Sequence, residues 1–276
     1  YGTGIFEGIR GYYVPEDDQI LIFRLAEHIE RLARNLTILE IELEEDREAM
    51  SEICRRVTRE SGFAEGVYIR PIAYKSAHNL VPTLFGLASS FCCYVIRLGN
   101  YVDIDDGLDI VTTTWRRLSD NAIPSRAKST AGYLNSSLAA SEAKRAGFAE
   151  ALFLREDGTV AEGSAMNLFM VNGDSLITPP ATADILVGIT RNTILQLAHE
   201  KLGLNIVERA IARTEVYVCD ELFFTGTGAQ VSPVRSVDRR PIGSGQPGPT
   251  TLALQQLYFD VVHGRVPEYR HWCTPA

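Results

Sequence analysis

Leu25, Ile29, Leu32, Leu36 and Leu39 recur at spacings of 4, 3, 4 and 3, which sets their side chains on one face of a helix. A second helix is expected from about Asp46 to Glu60, stopped at Ser61-Gly62. Ahead of both, GIRGYYV (8–14) and QILIF (19–23) flank the turn-forming PEDD, the pattern of a β-hairpin. After them, VYIRPIAYK (67–75) and SFCCYVIRL (90–98) are rich in β-branched and aromatic residues and are expected as strands.

Past the polar GNYVDIDDG the order of elements changes. A strand LDIVTTTW and a helix over 134–146 precede the strands ALFL, TVAEG, NLFMV and SLIT, separated by EDG and NGD turns. A helix over 190–202 ends at Gly203, followed by the strands NIVER, ELFFTGTG and VSPVRSV, the loop IGSGQPGP and a last helix to His263. Short strands and helices mixed without regular βαβ alternation predict an α+β fold rather than a doubly wound sheet. The change in pattern predicts two domains, a smaller one over 1–97 and a larger one over 107–276, joined by a linker at 98–106. The chain opens at Tyr1 inside a strand-like run and without methionine, so the natural N-terminus is expected to be missing and a targeting segment stays open.

With 45% apolar and 22% charged residues in 276, the composition is that of an ordinary folded domain or pair of domains. The 27 Lys and Arg against 35 Asp and Glu leave a net charge of −8, which argues against nucleic acid or an anionic membrane as the main partner. No apolar run reaches the ~18–20 residues of a membrane span. Five cysteines, odd in number and without ligand spacing, fit a reducing cytoplasm. Five histidines show no H-x-x-x-H spacing, so no metal is expected, and G-x-S-x-G, P-loop and G-x-G-x-x-G patterns are absent.

What chemistry the chain holds starts at Lys128, the one lysine in PSRAKSTAGYLNSSLAASEA. An exposed lysine is protonated and no nucleophile, but a half-buried one loses its proton and forms a Schiff base with a carbonyl. The small residues after it would let a flat aldehyde lie against the backbone; a solvated surface lysine is the plainer reading. TGTG (225–228) follows an apolar strand and exposes N–H groups suited to an anion. VGIT opens a helix, with Thr190 as a candidate N-cap, a second seat for a phosphate. Glu162 is a turn residue or the partner of a cationic ring nitrogen. Arg31 is a surface charge or a phosphate clamp. Arg70 shares a strand face with Tyr68, Ile72 and Tyr74 and needs an anion there.

Taken in order, YGTGIFEGIR, EHIER, YIRP, KSTAGYLNSSLAASEA, VAEGSAMNLF, VGITR and FFTGTGAQVSPV resemble the class IV (fold type IV) pyridoxal-phosphate aminotransferases, and among them the branched-chain group. The resemblance spans essentially the whole chain. It implies a two-domain α+β fold with a smaller N-terminal domain, a larger one with a mixed sheet, and pyridoxal 5'-phosphate between them. Lys128 would form the Schiff base with the cofactor and move the substrate proton. Tyr133 would bond the cofactor's phenolate oxygen, and Glu162 would keep its pyridine nitrogen protonated. Arg31, Ile189, Thr190, Gly226 and Thr227 would hold the phosphate. Tyr1, Phe6, Tyr68, Arg70 and Tyr101 would line the substrate side, with Thr227 and Gly228 meeting the α-carboxylate.

The activity so implied is transamination of leucine, isoleucine and valine with 2-oxoglutarate by a homodimer or higher homo-oligomer, with amino acids and 2-oxo acids as partners. A D-amino-acid or (R)-amine transaminase or an aminodeoxychorismate lyase keeps the same fold and cofactor. A non-catalytic binding protein is disfavoured by the joint presence of Lys128, Tyr133 and Glu162.

Overall fold

The computed structural model describes residues 1–99 and 104–276. Two compact units emerge from the contacts. One comprises Tyr1–Gly99, Ala127–Ala131 and Phe259–Ala276; the other runs up to Arg126 and covers Gly132–Tyr258. The expected linker at 98–106 falls partly outside the described residues, as does Tyr101.

In the first unit the expected hairpin and helices form: β1 (Gly4–Phe6), β2 (Ile9–Val14), β3 (Gln19–Phe23), α1 (Leu25–Ile38), α2 (Arg47–Glu60), β4 (Val67–Lys75) and β5 (Ser89–Arg97). The Asp46 carboxylate caps α2 by accepting the Ala49 N–H at 2.8 Å. Every strand pair in this sheet is antiparallel; β5 runs along one edge of β4, and β1 and β2 share the other. The strand Cys273–Pro275 closes the far side on β3. Alternation along β4 buries Val67, Ile69 and Ala73. They join Ile5, Ile9, Leu25, Ile29, Leu32, Met50 and Cys54 in one core beneath the helices. Tyr68, Arg70, Ile72 and Tyr74 point to the opposite face.

The second unit carries β6 (Leu108–Arg116), α3 (Gly132–Arg145), β7 (Glu150–Leu154), β8 (Val160–Gly163), β9 (Asn167–Asn172), β10 (Ser175–Thr178), α4 (Ile189–Leu202), β11 (Asn205–Glu208), β12 (Glu221–Gly226), β13 (Gln230–Val237) and β14 (Arg240–Pro241), with α5 (Pro249–Val262) belonging to it as far as Tyr258. Its sheet is mixed, in the order β11-β10-β9-β12-β13-β6-β7-β8 with β14 on β13. Three pairs are parallel: β10 with β11, β13 with β6, and β6 with β7. Gly203 ends α4 in the left-handed conformation at φ 66°, which a glycine adopts without a Cβ penalty. Among the described residues no helix is long and apolar enough to cross a membrane.

Candidate functional site

Lys128 is held by strand pairing rather than by the helix that follows it. The Phe6 N–H donates to the Lys128 carbonyl oxygen at 3.0 Å, the Thr130 N–H donates to Gly4 O at 2.8 Å, and Ser129 bridges Ile5. The Thr130 hydroxyl adds a bond to Gly2 O at 2.8 Å. Small residues are needed here for a reason of packing. Gly2 sits at φ +76°, and a Cβ on it would lie 3.1 Å from the Ala131 Cβ. The register sets Lys128 opposite Phe6, so their side chains share a face, and the Lys128 Nζ lies 5.1 Å from the Phe6 ring centroid.

The same face carries Tyr68 and Arg70. Arg70 Nη2 donates to the Tyr68 hydroxyl at 2.7 Å, and the Arg70 guanidinium lies 4.5 Å from the Phe6 ring centroid and 4.9 Å from that of Tyr68. Gly8 makes room for the phenol, since a Cβ there would come within 2.2 Å of the Tyr68 oxygen. The structure therefore brings Lys128, Phe6, Tyr68 and Arg70 together. Tyr1 is 82% exposed and its hydroxyl donates to Leu80 O at 2.9 Å, so Tyr68 rather than Tyr1 bonds the guanidinium.

On the helix side of the same strand sits a residue that the sequence motifs contained but did not single out. Glu7, fully buried, accepts Arg31 Nε on Oε1 and Arg31 Nη2 on Oε2, each at 2.7 Å, and His28 Nδ1 lies 2.8 Å from Oε2. Burial pushes the Glu7 carboxyl up, but the Arg31 charge and the hydrogen bonds from His28 and Arg31 outweigh it and hold the group well below the usual carboxylate range. Burial also depresses His28, against the opposing Glu7 bond. A neutral His28 that donates its Nδ1–H to an ionised Glu7 satisfies both shifts.

In the second unit Glu162 lies buried on β8. Arg117 Nη2 donates to its Oε1 at 2.8 Å, Asn167 Nδ2 to its Oε2 at 3.0 Å, and the Leu186 N–H reaches the two oxygens at 3.4 and 3.3 Å. Such a set fixes an ionised carboxylate in place. Asn167 Nδ2 also donates to Leu186 O at 2.8 Å. Neither Arg117 nor Asn167 was foreseen; Asn167 stands in the VAEGSAMNLF motif, where its side chain gives no outward sign of a partner.

Thr190 is not the N-cap of α4. Gly188 takes that place in an extended conformation and supplies no side-chain bond, and Thr190 lies inside the first turn, buried. Gly188 also leaves room for Asn167: a Cβ on it would fall 2.1 Å from the Asn167 Oδ1. Ile189 opens the helix, whose first N–H groups face no capping side chain. Thr227 and Gly228 form the turn between β12 and β13, where Gly226 pairs with Gln230. A Cβ on Gly226 would lie 3.4 Å from Ala165 O, so this turn packs on the loop after Glu162. Tyr133 is the second residue of α3 and half-buried. Among the described residues no cluster of His, Cys, Asp or Glu is arranged to hold a metal.

Taken by itself, the first unit offers an amine on Lys128, and the second a carboxylate fixed on Glu162 and a helix whose N-cap, Gly188, gives no side-chain bond; these donor types fit an aldehyde cofactor that carries a ring nitrogen and a phosphate. Residues 4–237 match the family model for amino-transferase class IV. The chain belongs to the class IV aminotransferase family. A probable branched-chain-amino-acid aminotransferase of Aquifex aeolicus (strain VF5) is 44% identical over all of this chain and 89% of its own length. The crystal structure of a branched-chain aminotransferase from Thermoproteus uzoniensis with norvaline superposes with a TM-score of 0.95 at 38% identity, covering 100% of this chain and 90% of that one. The branched-chain amino acid aminotransferase of Thermobaculum terrenum in its PLP form gives 0.95 at 37%, covering 99% and 89%. The class IV fold of these structures agrees with the α+β class expected from the pattern of elements and with the mixed sheet that the resemblance implied.

Proposed function

We propose that this class IV aminotransferase moves the amino group of leucine, isoleucine and valine to 2-oxoglutarate with pyridoxal 5'-phosphate as cofactor. The observation that carries the reading is the face of the first unit on which Lys128, Phe6, Tyr68 and Arg70 meet, because it joins a nucleophilic amine to an apolar ring and an anchored cation. The relatives' names and the norvaline and PLP forms of the solved structures support both substrate and cofactor.

When bound, the cofactor supplies an aldehyde for a Schiff base and a ring that accepts the electrons of a Cα–H bond. Lys128 would hold that aldehyde through Nζ, and its amine would move the substrate proton from Cα to C4′, the carbon of that aldehyde. Glu162, fixed by Arg117, Asn167 and the Leu186 N–H, holds a proton on the ring nitrogen. Tyr133 donates to the cofactor's phenolate oxygen. Arg31, Ile189, Thr190, Gly226 and Thr227 hold the phosphate, with Glu7 keeping the Arg31 fork oriented. Phe6 packs on the aliphatic side chain, Arg70 takes the distal carboxylate of glutamate, and Thr227 and Gly228 meet the α-carboxylate. The role of Tyr1 is to shield the substrate side, and Tyr101 is assigned to the same side.

The reading extends to a cytoplasmic homo-oligomer. The five cysteines are free thiols. Exposed Leu80, Val81 and Phe85 give a second copy apolar surface to bury. A half-reaction screen tests the activity: loss of the cofactor's visible absorbance on mixing with L-Leu, L-Ile, L-Val and L-Glu, and none with D-Ala or an (R)-amine, is the expected result. Turnover of D-Ala or the (R)-amine alone would move the enzyme to the other branches of the family, and sedimentation of a monomer would remove the oligomer.

A further inference from the structure

Asn167 touches two of the places to which the cofactor roles are assigned. Its Nδ2 donates to Glu162 Oε2 at 3.0 Å and to Leu186 O at 2.8 Å. Its Oδ1 occupies the space where any Cβ on residue 188 would stand, 2.1 Å away, directly before the first turn of α4. One buried carboxamide thus spans from the carboxylate on β8 to the N-cap of α4. Glycine at 188 is the complement of that span, since a methyl group there would drive the carboxamide off Glu162.

We propose that Asn167 is a positioning residue that fixes the separation between the Glu162 carboxylate and the N-terminus of α4, so that a ring nitrogen and a phosphate on one rigid molecule are held at once. The inference rests on the assignment of Glu162 to the ring nitrogen and of α4 to the phosphate. Its physical content is pre-organisation. Two contacts on a rigid ligand reinforce one another only when their spacing is held; seats that move independently lose that gain.

The consequence is a coupling between the two ends of the ligand that affinities measure without turnover. Apoenzyme is titrated with pyridoxal 5'-phosphate and with pyridoxal, which lacks the phosphate, and the ratio of the two Kd values gives the phosphate's contribution. Asn167→Ala should reduce that ratio at least ~10-fold. Gly188→Ala should reduce it similarly by displacing the same carboxamide, and the double variant should lose no more than Asn167→Ala alone, because the overlap is gone. A residue that merely supports the fold would weaken both ligands alike and leave the ratio unchanged. An unchanged ratio in Asn167→Ala, or in Gly188→Ala where the first variant does not fold, overturns the proposal, as do additive losses in the double variant. Glu162→Gln in the same titration reads the underlying assignment separately. If it leaves pyridoxal affinity and the absorbance of the bound ligand untouched, the ring-nitrogen role of Glu162 fails and this inference falls with it; if Glu162→Gln responds and the ratio in Asn167→Ala does not, only the coupling is lost.

Discussion

Arg31 meets Glu7 in a two-pronged pair, Nε to Oε1 and Nη2 to Oε2 at 2.7 Å each, and no part of Glu7 reaches solvent. Removing Arg31 therefore does two things. It leaves a buried carboxylate without its cation, at a cost of about 3–5 kcal/mol. It also takes a charged donor from the proposed phosphate seat, a further ~1.5–3 kcal/mol of cofactor affinity. Arg31→Ala apoenzyme should melt several degrees lower and bind cofactor at least ~10-fold more weakly. A lower melting point with unchanged cofactor affinity would restrict Arg31 to holding Glu7.

His28 makes stability depend on pH. Burial first, and then the charges of Arg31 and Lys128, depress its folded-state pKa against the Glu7 bond. The unfolded chain therefore takes up a proton near pH 6.5 that the folded one refuses. The contribution of a neutral His28 is intact above about pH 6.5 and is lost as pH falls below it, with a limiting slope of ~1.4 kcal/mol per pH unit. His28→Asn keeps a donor toward Glu7 and cannot titrate, so its unfolding free energy should vary less between pH 6.5 and 5. Parallel curves for the two proteins over that range would contradict a buried neutral imidazole.

Much of this was legible in the chain, and the rest was hidden for identifiable reasons. The 4-3-4-3 spacing of Leu25 to Leu39 and the PEDD turn are local signals, and α1 and the β2–β3 hairpin followed from them. Lys128 stood out by its surroundings, yet its fixing on β1 joins residues far apart in the chain, and a Ser-Thr-Ala-Gly run has no strand pattern to announce it. Glu7, flanked by Phe6 and Gly8, looks like one polar strand position; its burial depends on His28 and Arg31 arriving from α1. The hydroxyl of Thr190 suggested a cap two residues too late, because the N-cap is Gly188, which has no side chain to announce it and packs against Asn167 of β9. Arg117 follows β6 and meets Glu162 only through the folded sheet.

Lys128 gives a direct covalent test. The chain has four lysines, Lys75, Lys128, Lys144 and Lys201. Borohydride reduction of holoenzyme followed by peptide mapping should label Lys128 alone, and Lys128→Ala should show no transamination. A label on any of the other three would reassign the nucleophile.

Glu162→Gln replaces the anion while keeping a side chain of the same shape among Arg117, Asn167 and the Leu186 N–H. A neutral amide no longer favours a protonated ring nitrogen, so removal of the Cα proton loses its electron sink. Cofactor should still bind, with kcat reduced by more than ~10-fold, equivalent to ~1.4 kcal/mol or more in the barrier. A kcat within about threefold of wild type would remove the role given to Glu162.

Arg70 is where substrate choice is expected to be made. One pocket must take a neutral aliphatic chain in one half-reaction and a chain ending in carboxylate in the other. A buried carboxylate without a partner costs several kcal/mol, so a cation has to lie within reach of glutamate. Arg70 is held ready by the Tyr68 hydroxyl at 2.7 Å and by the Phe6 ring beneath its guanidinium, and Phe6 offers the apolar surface on which leucine packs instead. Arg70→Met keeps the length and apolar stem and removes the charge. It should lower kcat/KM for glutamate and 2-oxoglutarate by ~10²-fold, about 3 kcal/mol, while the leucine half-reaction falls about threefold. Tyr68→Phe removes only the hydroxyl that orients the guanidinium, so glutamate should lose a smaller factor, ~10-fold, and leucine almost nothing. Equal losses for glutamate and leucine in Arg70→Met would make the arginine a structural member of the sheet face and leave the distal carboxylate to another group.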